Sequence, residues 1–554
     1  MRLKTWGRAA VLLLLALCLC ACEIQPLFDW DMFPGVSFVG EAERPERENP
    51  LLEELSFSLL DSDIEEFYAA LSRCKDIYAK GHVSYADELM DALYELDWLA
   101  SWFDRQCQAA ALLRMYDTSD EQARQDELYA RRVCTQLNTD LWDAFNDMKR
   151  PSHPLTPTVI DYLDEVYPDR ITIYFENDEY ERRMDELESE FITYNYEGSA
   201  SQIHGIYTEY IDVANRYAES YGYDNYYEYA AAQVYDRGYG REEREAFRAL
   251  VKEHLVPLYR AYDRLWESKR DAMGFLERRQ ADRYSSVAYD TVSGDALFTY
   301  FDSLPEGVGD AMRAAFEEGR VLIGDRPASL YKAMVTMQDD EPVCYFHEDL
   351  LDLVTVSHEM GHFYAGTVRG GVGDISFDLS ETHSQANSLL MLRYLRDEIG
   401  TDAFEAFELY EVSDILYRAI ASTVKDEFDE IVFSMSEEDD RSVEALREVM
   451  NDLIEAYGID AREGSMTRQL RTYWHRQGIG SVGYHISYGV SAVVAREIFH
   501  LSESDYAAAT SCYQRFVERS RMGACIDAVA VLVGLYSPFD ERCYQQLSDI
   551  DPAN

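Results

Sequence analysis

Positive charge is what this 554-residue chain most lacks: 51 Lys and Arg stand against 104 Asp and Glu, a formal charge of −53. So acidic a surface repels a phosphate backbone, which excludes nucleic acid as a partner over most of the molecule. It suits a well-solvated body, and it would favour cationic peptides over anionic ones wherever peptides bind. Glycine (29) and proline (14) are sparse, so helix breakers are few. No repeat of fixed period and no low-complexity tract occurs, which excludes solenoid and fibrous architectures. The ten cysteines never fall in C-x-x-C spacing, so neither a structural zinc knuckle nor a dithiol redox pair is encoded. What remains is a globular chain, 47% hydrophobic, long enough for two to four structural lobes around at least one large core.

The one sustained apolar run, Val11 to Ala21, is too short to span a bilayer comfortably and follows Arg2, Lys4 and Arg8, as in a secretory signal. Leu19-Cys20-Ala21-Cys22 resembles the lipobox of bacterial lipoproteins. Residues 1–21 are therefore read as a signal peptide and Cys22 as the lipidated N-terminus, which a multi-chain anchor would hold stably on the outer face of the cytoplasmic membrane. Residues 22–50, with four prolines and the run EAERPEREN, read as a tether. Seven cysteines lie beyond it: Cys74, Cys107 and Cys134 in one group, Cys344 alone, and Cys512, Cys525 and Cys543 in another. Each group permits one disulfide, and buried free thiols are the alternative.

From Leu51 to Arg283 apolar residues recur at three- and four-residue steps, as in DELMDALYELDWLASWF and REEREAFRALVKEHLVPLYRAYDRLWE, which predicts packed amphipathic helices. A tyrosine-rich segment, Ala214 to Gly240, contains a turn at Gly222 to Asn225 between two helices. Between Tyr331 and Phe346 the pattern changes to alternating Val, Tyr, Phe and Cys, predicting one or two short strands, with an edge able to pair with an extended peptide. The expected division is a helical domain over 51–330 and a second domain over 331–550.

The second domain carries the chemistry. EDLLDLVTVSHEMGHFYAGTV, Glu348 to Val368, predicts a buried helix with acids in its first turn, ending near Gly370. His358 and His362, four apart, share one face and can reach one ion. Glu359 is turned by about 100° from them, where a general base beside that ion belongs. A catalytic zinc site needs a third protein ligand and an open position. The following helix, SETHSQANSLLMLRYLRDEIG, presents Glu381, Gln385 and Ser388 as a polar stripe beside apolar Leu389, Leu390, Leu392 and Leu395, so Glu381 is the favoured third ligand. Its rivals are His383, on another face, and Asp374 or Asp378. Ala365 and Val368 stand where a metzincin needs Gly and His, which excludes that class.

HEMGH followed by ETHSQ resembles the oligoendopeptidase F and thimet oligopeptidase family of zinc metallopeptidases. EPVCYFHEDLLDLVTVSHEMGH, YGYDNYYEY, VKEHLVPLYRAY, YHISYGVSAVVA and SPFDERCYQQL are also similar to family segments, so the likeness runs from about Ala200 to Leu547. It implies a mainly α, two-lobed shell around a deep cleft, with a small β element beside the H-E-x-x-H helix. It further implies one zinc on His358, His362 and Glu381, with Glu359 as base. Oxyanion donors are implied within YWHRQGIGSVGYHISYG: Tyr488 aligns best, Tyr484 and His485 less well, and His475 only if the loop differs in length. Two departures stand out, a short turn between His362 and Glu381, and Ser388 where relatives carry a carboxylate that orients a ligand histidine. The expected activity is a lipid-anchored, extracytoplasmic zinc endopeptidase acting on oligopeptides. The alternatives are a peptide-binding lipoprotein that does not cleave, and a zinc carboxypeptidase.

Overall fold

The computed structural model describes residues 57–548 apart from short segments, the longest being 167–179, 192–199, 285–292 and 325–332. The expected signal peptide, Cys22 and the tether lie outside the described residues, as does 370–374 in the glycine-rich turn. The described chain is mainly α with one three-stranded sheet, as expected. No described helix is long and apolar enough to cross a membrane.

Helices α1 (Asp61–Ala79), α2 (Ala86–Tyr116), α3 (Glu121–Asp147) and α4 (Thr156–Val166) come first. Their apolar faces close over one core that runs from Leu59 to Leu163. The chain continues through α5 (Ala200–Ser220), α6 (Tyr226–Tyr229), α7 (Arg241–Leu250), α8 (Val256–Ala272), α9 (Phe275–Tyr284), α10 (Ser293–Ser303) and α11 (Val308–Glu317). After the sheet come α12 (Leu353–Arg369), α13 (Phe377–Ile399), α14 (Asp402–Phe433), α15 (Val443–Ala456), α16 (Gly464–Arg476), α17 (Ile486–Ser504), α18 (Tyr506–Arg519), α19 (Ile526–Val533) and α20 (Glu541–Ser548). A second, larger core unites residues from Met184 to Leu547, so residues on both sides of position 330 share it.

The predicted turn at Gly222 to Asn225 separates α5 from α6, with Gly222 at φ 83° and Asn225 capping α6 through Glu228 N–H. Glycine fits there because that φ lies in the left-handed region. An ionic network then ties α7 to α14: Arg248 donates to Asp426 and Glu430, and Arg244 to Glu228 and Glu430. Tyr227 donates to Asp426 at 2.9 Å. Buried charges are costly unless partnered, and here each cation has carboxylates and each carboxylate has cations.

Two strands lie where they were expected, β2 (Ala333–Gln338) and β3 (Glu341–His347), paired antiparallel with Ala333 opposite Phe346. A third, β1 (Val321–Gly324), pairs parallel to β3, giving the order β1-β3-β2. Side chains alternate between two buried faces. Leu322, Met334, Val343 and Tyr345 pack with Ala109 and Leu112 of α2, while Val321, Ala333, Val335, Cys344 and Phe346 join the larger core. That period of two over two apolar faces explains why the segment reads as strand although both faces are dry.

A candidate metal centre

α12 begins at Leu353, later than expected, because Asp352 is its cap. The Asp352 carboxylate accepts from Thr355 N–H at 2.8 Å and from the Thr355 hydroxyl at 2.7 Å. Residues 348–351, expected in the first turn, lie outside the described residues. One and a half turns on, His358 and His362 share a face, with ring centroids 5.1 Å apart and planes at 79°.

Gly361, between them in sequence, lets the next helix pass at contact distance. A Cβ there would sit 2.6 Å from His383 O and 2.7 Å from Ser384 Cα. The crossing is dressed with small and amide side chains: Ser388 Oγ donates to Val354 O at 3.3 Å, and Asn387 Nδ2 to Ser357 O at 2.5 Å. Tyr300 OH in turn holds Asn387 Oδ1 at 2.6 Å. Ser388 thus belongs to the seam between α12 and α13. His362 finds an orienting partner elsewhere, its Nδ1 lying 3.2 Å from Ser380 Oγ.

That close crossing brings Glu381 of α13 to the histidines. Glu381 Oε2 is 3.6 Å from His358 Nε2, and one ligand atom from each of His358, His362 and Glu381 lies within 4.8 Å of the others. The rivals go elsewhere. His383 turns to α18, with Nε2 2.9 Å from Ser520 Oγ, and Asp378 faces Arg237 at 3.9 Å. Asp374 lies outside the described residues. Gln385, next on the stripe, donates to Ser491 Oγ of α17 at 2.9 Å.

Glu359 is 1% exposed and its Oε1 has no hydrogen-bond partner. Burial, and then the neighbouring Glu381, push its carboxyl well above the usual range. Burial raises Glu381 to about 7, against hydrogen bonds from Ser384, Tyr488 and Tyr484 that pull it down. Burial, and then His362, hold His358 well below an ordinary histidine. Two desolvated carboxyl groups beside the His358 and His362 imidazoles form a site short of positive charge. The donor set of two nitrogens and a carboxylate oxygen, with a position left over, fits a dication of the zinc type.

The sequence-predicted donors separate. Tyr484 OH donates to Glu381 Oε1 at 3.4 Å and lies 3.1 Å from Tyr488 OH, so both tyrosines stand at the cluster. His485, next in sequence, turns inward against Tyr473 at 5.1 Å. His475 is not brought to the cluster. It packs on Trp474, and burial, then His204 and Arg447, pull its imidazole down to about 4. Among the described residues its contacts lie with Trp474, His204 and Arg447, none of them a member of the cluster. Sequence reasoning missed Ser380, and also Arg237, whose guanidinium donates to Tyr484 O at 3.3 Å. Arg237 is one of only two bases between Ala214 and Gly240, which was its available signal. Five of the seven described cysteines are buried, and among the described residues neither permitted disulfide forms.

No family model matches the chain, and no curated protein matches it. Solved structures do. PZ peptidase A, solved with an inhibitor, is 16% identical over 91% of this chain and 100% of its own, with a TM-score of 0.61. A protein described as an oligoendopeptidase F is 15% identical over 90% of this chain and 98% of its own, at 0.62. Metallocarboxypeptidase 1 of Trypanosoma cruzi is 12% identical over 84% of this chain and 98% of its own, at 0.53. This chain therefore has the helical fold of these peptidases across nearly its whole described length.

Proposed function

We propose that the chain is a zinc-dependent peptidase acting on oligopeptides. The observation that carries this reading is the convergence of His358, His362 and Glu381 within 4.8 Å, with unpartnered, buried Glu359 beside them. Zinc held by those three residues would supply Lewis acidity and acidify a bound water. Glu359, kept dry and proton-avid by its burial, takes up a proton at its free oxygen and delivers it to the departing amine. Tyr484 and Tyr488 place hydroxyl donors on the Glu381 side, where negative charge grows on the scissile carbonyl oxygen, a role that commonly contributes a few kcal/mol.

The likeness to endopeptidases and to a carboxypeptidase supports peptide-bond hydrolysis, and the products separate the two modes. The reading extends to a lipid-anchored, extracytoplasmic enzyme on the strength of Leu19 to Cys22. It also extends to a preference for cationic peptides, from the charge of −53.

The test is to express Glu23 to Asn554, measure bound metal, and digest an unbiased peptide pool beside Glu359→Gln. Stoichiometric zinc in both proteins, internal cleavage by the parent and near-complete loss in the variant are expected. Undiminished turnover in Glu359→Gln refutes the mechanism. A zinc-loaded but inert parent identifies a peptide-binding protein, and single-residue trimming identifies a carboxypeptidase. Equal turnover of Lys-rich and Asp-rich peptides at low salt removes the charge preference.

A further inference from the structure

The Arg237 side chain is completely buried, yet two of its nitrogens, Nε and Nη1, have no hydrogen-bond partner. A buried, under-satisfied guanidinium destabilises a fold relative to an apolar side chain of similar size, so stability alone does not account for it. What it does touch is specific. Nη2 donates to Ser487 Oγ at 2.9 Å and to Tyr484 O at 3.3 Å, while Nε faces Asp378 Oδ1 at 3.9 Å. The Tyr235 ring lies 4.8 Å beneath the guanidinium. Asp378 is three residues before Glu381 on α13, and Tyr484 and Ser487 bracket the start of α17.

The segment held there is a tight turn, with Tyr484 N–H donating to Ser481 O at 3.0 Å and Ser487 N–H to Tyr484 O at 3.1 Å. Gly480 and Gly483 adopt φ of 79° and 73°, so the chain entering Tyr484 turns at two residues that carry no side chain, with buried Val482 between them. Gly483 N–H is taken by Asp429 at 3.2 Å, which secures the side before Tyr484. The Phe377 and Tyr235 rings enclose the Tyr484 ring at 5.1 and 5.9 Å. Its hydroxyl then points at Glu381.

We propose that Arg237 is a positioning residue for Tyr484, fastening the backbone of the Tyr484–Ser487 turn to the N-terminal end of the helix that carries Glu381. It touches neither substrate nor metal ligand and acts through the tyrosine. The kinetic half of this inference rests on the peptidase reading above; the structural half does not.

Two measurements test it. In the zinc-loaded protein, Arg237→Met lowers kcat tenfold or more while KM changes less than threefold, and Arg237→Met combined with Tyr484→Phe is no slower than Tyr484→Phe alone. Additive losses overturn the proposal, as does a Tyr484→Phe variant that turns over normally while Arg237→Met is slow. In the metal-free protein, Arg237→Met raises amide exchange across 484–487 at least tenfold and leaves 490–504 unchanged. Unchanged exchange across 484–487 overturns the positioning role whatever the peptidase assay gives. Should Arg237→Met fail to fold, Arg237→Lys, which keeps a charge by Asp378 with one compact donor, is expected to give the same local exchange increase at smaller amplitude. A Lys variant with parental exchange and parental kcat overturns the proposal. If the chain cleaves no peptide, the peptidase reading falls and the exchange experiment alone decides.

Discussion

Gly361→Ala is the substitution that most directly tests how this centre is built. The added Cβ would stand 2.6 Å from His383 O and 2.7 Å from Ser384 Cα, both backbone atoms that cannot rotate aside. Ordinary contact begins near 3.4 Å, so α12 and α13 must separate locally by about 0.8 Å. Such overpacking destabilises by about 1–3 kcal/mol. The larger effect falls on the centre, because the contact lies two residues from Glu381 and one from His362. Ligand positions tolerate shifts of only about 0.2 Å, so zinc affinity should drop by roughly ten- to a hundredfold. The assay is a competitive zinc titration with a chelating indicator, run beside denaturant unfolding of the metal-free protein. Gly205→Ala is the control: it lies on α5 with nothing within 4 Å of the new methyl, and should be neutral or stabilising by up to about 1 kcal/mol. If Gly361→Ala binds zinc as tightly as the parent and unfolds at the same denaturant concentration, the crossing does not place Glu381 and the reasoning fails.

Ser380→Ala removes the partner of His362 Nδ1 and should weaken zinc binding by about tenfold with little effect on turnover at saturating metal, read by the same titration. Glu497 is buried with its carboxyl raised to about 7, chiefly by desolvation. The folded chain thus binds this proton more tightly than the unfolded one, so its stabilising effect is full below the unfolded value of 4.5 and is lost as pH rises through about 7. Glu497→Gln, which still accepts from Tyr536 N–H, should flatten that decline, by up to about 3 kcal/mol between pH 4.5 and 8 in denaturant unfolding. Parallel stability profiles for the two proteins would count against the shift. Seven thiols should titrate when the chain from Glu23 is unfolded without reductant, and five would reveal a disulfide.

Most of the helical architecture was legible from periodicity, because a stripe at steps of three and four has to face a core. The strands were legible from alternation, although β1 was not, being only four residues that acquire strand character by pairing with β3. The histidine pair was legible for the same local reason, since spacing of four on a helix sets a common face without reference to the rest of the chain. Asp352 as cap was obscured by the other acids around it, Glu348 and Asp349, each of which reads equally well as a helix start.

By itself, then, the sequence determined the helix faces, the register of His358, Glu359 and His362, and a polar stripe on α13 that needed partners. Only the tertiary structure decided which acid meets the histidines, because Glu381 arrives through the bare Cα of Gly361 against the α13 backbone at His383 and Ser384, a contact between residues twenty-two and twenty-three positions apart. It also separated Tyr484 and Tyr488, which face the centre, from His475, which α16 carries to Trp474, and it revealed Arg237 on Tyr484 across 247 residues of chain. Periodicity is a property of one element at a time. A site assembled from four elements depends on the distances between them, and packing alone sets those.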